Sequence, residues 1–180
     1  MSRYGRGSRA RGPWYATGLE FQAALVGDID EHDEHARLIT STLKDTGRGR
    51  VWTIHHAGLN VPGRPDAVPV DVEFHEKPNY DTYGLEAYDF PVVSADPGVE
   101  SKHRHQDVDA LCLWFPGDPD DRRWHHTDGL LALFNLARNH LFYEAHWRAT
   151  GGQGGEGKPE GTWLGDEAAH GYIEALAEVS

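Results

Sequence analysis

Val68, Val70, Val72 and Phe74 alternate with Pro69, Asp71, Glu73 and His75. A period of two marks a half-buried strand with one wet face. Val51-Trp52-Thr53-Ile54-His55-His56 is rich in β-branched and aromatic residues and predicts a second strand. Between the two, Asn60-Val61-Pro62-Gly63-Arg64-Pro65 carries turn chemistry. Phe90-Pro91-Val92-Val93 is a third, shorter extended piece. Consecutive strands with short links form an antiparallel meander. The period then changes: Leu130, Phe134, Ala137, Leu141 and Ala145 recur at helical spacing, widened by Leu131, Phe142 and Trp147. Thr127 or Asp128 can cap this helix and Gly151 can end it. From Asp128 to Ala149 it spans roughly 33 Å at ~1.5 Å per residue, and its apolar face packs on the sheet.

The first quarter of the chain is less regular. Leu19, Phe21, Ala23 and Leu25 alternate as in a strand, in a run short enough to be helical. Carboxylates from Asp28 to Glu34 precede Ala36, Leu38, Ile39 and Leu43. Negative charge ahead of an apolar stripe suits a helix start, so a helix is expected here, ending near Gly47. Helix, strands, helix is the order of an α+β domain and not of repeated βαβ units.

Composition narrows the class. The chain has 180 residues, enough for one domain with its own core. Its net charge of −12 argues against nucleic-acid binding over most of the surface. The exception is residues 1–13, a basic Gly/Arg arm with Arg3, Arg6, Arg9 and Arg11, expected to be flexible. Residues 14–180 form the domain, with a Gly-rich loop at 151–157. No apolar run reaches the roughly 20 residues of a membrane helix, and no secretory signal follows the basic start. One cysteine, Cys112, excludes an internal disulfide and a multi-Cys zinc site and points to the cytoplasm.

Cys112 lies between leucines, as packing cysteines do, but follows His103, Arg104 and His105. Cations near a thiol favour the reactive thiolate, so nucleophile and buried filler both remain open on these residues. His55-His56 and His125-His126 lack ligand partners at recognised zinc spacing. No metal and no cofactor are expected.

The order of these features resembles the ubiquitin-conjugating enzymes, specifically their prokaryotic relatives, over Val51 to Gly171. Pro78-Asn79-Tyr80 follows the strand from Val68 to His75 as a Tyr-Pro turn does in the family. Phe90-Pro91-Val92-Val93 takes the place of the fourth strand. His103-Arg104-His105 stands where the family has His-Pro-Asn. Leu111-Cys112-Leu113 resembles its Ile-Cys-Leu, and Trp124 precedes the long helix. Gly161-Thr162-Trp163-Leu164-Gly165-Asp166-Glu167, with His170-Gly171, resembles the bacterial branch.

The resemblance implies a ubiquitin-conjugating-enzyme-like fold with a four-stranded antiparallel meander. It implies that Cys112 takes a ubiquitin-like protein from an activating enzyme as a thioester and passes it to a target lysine. His103 or His105 would replace the family's oxyanion-stabilising asparagine, and of the turn carboxylates Asp109, Asp118 and Asp120, Asp118 is the one favoured to orient or deprotonate the attacking amine. In the family such systems often serve antiphage defence, and a variant conjugates a nucleotidyltransferase C-terminus. The rivals are a non-catalytic binding module of the same fold and a histidine-ligated metallohydrolase.

Overall fold

A computed structural model describes residues 25–26, 34–105 and 107–165. The basic arm and the segment from Asp166 through His170-Gly171 lie outside the described residues, as does nearly all of the run from Leu19, whose Leu25 and Val26 are helical. Four strands form one antiparallel sheet in sequence order: β1 (Ile39–Asp45), β2 (Arg50–Leu59), β3 (Val68–His75) and β4 (Val92–Ser94). The α+β class and the meander are therefore present. No helix among the described residues is long and apolar enough to cross a membrane.

β3 follows its sequence pattern closely. Val68, Val70, Val72 and Phe74 are buried while Asp71, Glu73 and His75 face outward. Across the ladder Ile54 opposes Val72 and Trp52 opposes Phe74, so one face of the sheet is continuously apolar. Each of these side chains contributes about 1.5–3 kcal/mol by leaving water. The third extended piece begins two residues later than its sequence suggests, because only Val92, Val93 and Ser94 pair with β3.

The expected helix over the acidic segment is corrected. Among the described residues of that segment only α1 (Glu34–Leu38) is helical, and the chain then turns directly into β1. Ile39 pairs with His56 and Leu43 with Trp52 across the ladder. β1 is an edge strand, exposed along nearly its whole length. Its composition carries no in-and-out alternation, because neither of its faces is buried.

α2 (Gly129–Thr150) lies against the sheet. The ring of Phe134 meets His56 of β2 edge-on at 4.9 Å, and Leu130, Leu133, Ala137 and Leu141 join the same core. Trp124 prepares the helix start: its indole donates to the Gly129 carbonyl (2.9 Å) while its ring packs on Phe74. At the other end Gly152 N–H donates to the Trp147 carbonyl at 2.9 Å. The glycine-rich turns then bring the chain back across the helix end. A Cβ at Gly161 would stand 2.1 Å from the Trp147 oxygen, so only glycine fits the crossing.

Candidate functional site

Between β4 and α2 the chain makes a small hairpin, β5 (Arg104–His105) with β6 (Ala110–Leu111). Ladder geometry continues one step past it, where Cys112 N–H donates to the His103 carbonyl at 3.3 Å. The nine-residue separation of His103 and Cys112 is thereby closed. Two residues per strand cannot hold themselves together; side-chain bonds do so.

Arg104 is the anchor. Its guanidinium donates to both carboxylate oxygens of Glu144 on α2, at 2.9 and 3.1 Å. It also donates to the Asp96 carbonyl and to Asp109, which itself accepts from Gly98 N–H. Glu144 is fully buried, and Arg148 and His140 reach it at 3.2 and 3.3 Å. Burial works against its charge, but bonds from His140, Arg104 and Ser101 outweigh burial and hold the carboxyl well below the usual range. Arg104 thus clamps the thiol-bearing hairpin to the long helix.

Cys112 is half-buried and its Sγ–H points to the Trp114 carbonyl at 3.7 Å. It lines a cleft of about 250 Å³ together with His103 and Asp118. α2 supplies Asn139, His140 and Tyr143 to the same cleft. Trp163, carried back by the turn at Gly161, closes one wall, stacking edge-on against His103 (4.5 Å), His140 (5.3 Å) and Tyr143 (5.8 Å).

Three of the four residues singled out from sequence therefore meet: Cys112, His103 and Asp118. His105 does not join them. It lines a separate space with Phe90 and Leu111. The expectation that upstream cations favour the thiolate is also corrected. Arg104 is committed to carboxylates, while burial and then the Asp118 charge push the thiol up to about 11. At neutral pH Cys112 is a thiol, and attack requires a base to take its proton.

His140, Glu144 and Trp163 were not found from the sequence. Asn139, His140, Tyr143 and Glu144 recur at helical spacing on one stripe of α2, a polar interruption that was the available signal. The histidine pairs serve the fold. His126 Nδ1 lies 2.8 Å from Asp89 and His55 Nδ1 lies 2.7 Å from Asp71, while His56 is in the core. Compared with protein-family models, curated proteins and solved structures, the chain matches none of them.

Proposed function

We propose that this protein is a ubiquitin-conjugating-type enzyme with a ubiquitin-conjugating-enzyme-like fold, working in the cytoplasm. The observation that carries the reading is the cleft: one thiol, presented by a clamped hairpin, beside His103 and Asp118 and opposite His140 of α2. Cys112 sulfur attacks the thioester carbonyl by which an activating enzyme holds the C-terminus of a ubiquitin-like protein. The S–H proton passes to an imidazole of the cleft, His103 or His140. The donor's C–S bond breaks, and its departing thiolate takes up a proton.

In the second half the neutral amine of a target lysine attacks the Cys112 thioester. His103 donates to the developing oxyanion, and Asp118 orients the amine and accepts its proton. The Cys112–carbonyl bond breaks, the departing Cys112 thiolate takes up the amine's proton from Asp118, and an isopeptide bond remains. His105 lies in another space and has no part in this scheme.

The test mixes the protein with a ubiquitin-like protein and an activating enzyme from the same genomic neighbourhood, with ATP. A reductant-sensitive adduct is expected for the native protein, none for Cys112→Ala, and a reductant-stable ester for Cys112→Ser. Absence of any reductant-sensitive adduct overturns the proposal. The high thiol pKa favours a second reading, a non-catalytic module binding a ubiquitin-like protein or a nucleotidyltransferase tail. That reading expects complex formation to survive Cys112→Ala with no adduct formed.

A further inference from the structure

The space lined by His105 has a construction unlike the Cys112 cleft. Phe90, 7% exposed, is its floor. Three rings stand nearly perpendicular to it: Tyr83 at 78° and 6.1 Å, His105 at 79° and 5.8 Å, and Trp114 at 83° and 6.0 Å. Tyr80 helps to fix the floor, its hydroxyl donating to the Phe90 carbonyl at 3.0 Å. The interior, about 30 Å³, has room for about two water-sized groups.

The charge of this box has one sign. Asp81 and Asp107 line it, and no lysine or arginine among the described residues does. Burial pushes the His105 imidazole down, so His105 adds no positive charge at neutral pH. The wall also contains an unused donor. Trp114 is buried, and its indole Nε1 has no hydrogen-bond partner among the described residues. Tyr83 stands at the mouth, 56% exposed, so an aromatic ring is left in water where a ligand would enter.

We infer that this aromatic box binds the ammonium end of a lysine side chain presented by a partner protein. Ring faces attract a cation, and the two carboxylates complement its charge. An ammonium and the methylene bearing it match the available space. Leu113 and Trp114 line both this box and the Cys112 cleft, so the lysine docks next to the thiol without being its acceptor. The inference goes beyond acyl transfer and does not depend on it.

The experiment follows the indole N–H resonances of the full chain by NMR, with Trp114 assigned through Trp114→Phe. The probes are Nα-acetyl-lysine methylamide and its charge-free counterpart, Nα-acetyl-norleucine methylamide. Saturable millimolar displacement of the Trp114 signal by the lysine probe is expected, with no saturation by norleucine. Tyr83→Ala, at an exposed position, should weaken binding about three- to tenfold, and Asp107→Asn should weaken it in the same direction. Equal responses to the two probes, no response to lysine, or unchanged binding by Tyr83→Ala overturns the inference. Because binding and not adduct formation is read, either result leaves the conjugation test to stand or fall separately.

Discussion

Replacing Glu144 with leucine removes a fully buried carboxylate that four side chains address: Arg104 twice, and Arg148, His140 and Ser101. Breaking a buried ion pair from one side costs about 3–5 kcal/mol, because the remaining charge is left in a poorly solvated place. Here Arg104, with 6% of its side chain exposed, keeps only Asp109 and the Asp96 carbonyl among the described residues. Arg104→Met falls nearer the lower bound, since Arg148 stays on Glu144 and is itself 24% exposed. At this chain length such losses lower Tm by roughly 6–20 °C. The double variant, Arg104→Met with Glu144→Leu, leaves no orphaned partner between them, so its loss falls short of the sum by about 0.5–3 kcal/mol.

Urea unfolding followed by tryptophan fluorescence measures all three, and pH adds a second axis. The Glu144 carboxyl is held below its unfolded value, so its contribution is complete above about pH 4.3 and is lost as pH falls from there toward the folded value. Glu144→Gln should therefore flatten the acid side of the stability curve. Single variants within about 1 kcal/mol of the native protein, a range typical of exposed pairs, would refute the clamp. So would losses that simply add in the double variant.

Other outcomes follow from the same geometry. The alkylation rate of Cys112 by iodoacetamide should rise with pH to a midpoint near 11, and Asp118→Asn should move that midpoint down by removing an opposing charge; a midpoint in the ordinary thiol range refutes the burial argument. Gly161→Ala forces a Cβ toward the Trp147 carbonyl, 2.1 Å away in the unrelaxed backbone. It should cost about 1–3 kcal/mol in urea unfolding and expose Trp163, seen as a red-shifted emission. The Cys112 adduct assay and the lysine titration complete the set.

What could be read from the chain depended on how locally each element is encoded. β3 and α2 show their periods because each buries one face over eight and 22 residues. β1 could not be read this way. Ala36, Leu38, Ile39 and Leu43 have helical spacing, but nothing in them says that Ile39–Asp45 pairs along the edge of β2. His103 and Cys112 are nine residues apart, and it is the pairing of β5 with β6 that brings them together. Arg104 and Glu144 are 40 residues apart and Trp163 is 51 beyond Cys112. Partners joined only through tertiary packing leave no spacing to detect. His105 shows the opposite failure: two residues from His103 in sequence, it serves a different space.

The hairpin that presents Cys112 has two residues in each strand and depends on the long helix for its shape. The thiol's environment is thus set by tertiary contacts and not by the hairpin alone. Once the chain opens, the thiol escapes both burial and Asp118 and returns from about 11 toward the free value near 8.5. Near neutral pH the unfolded chain is then the more reactive form by roughly two to three powers of ten. Labelling at this one sulfur is therefore slow while the chain is folded and accelerates by that factor once denaturant has unfolded it, so the sole cysteine tells the two states apart.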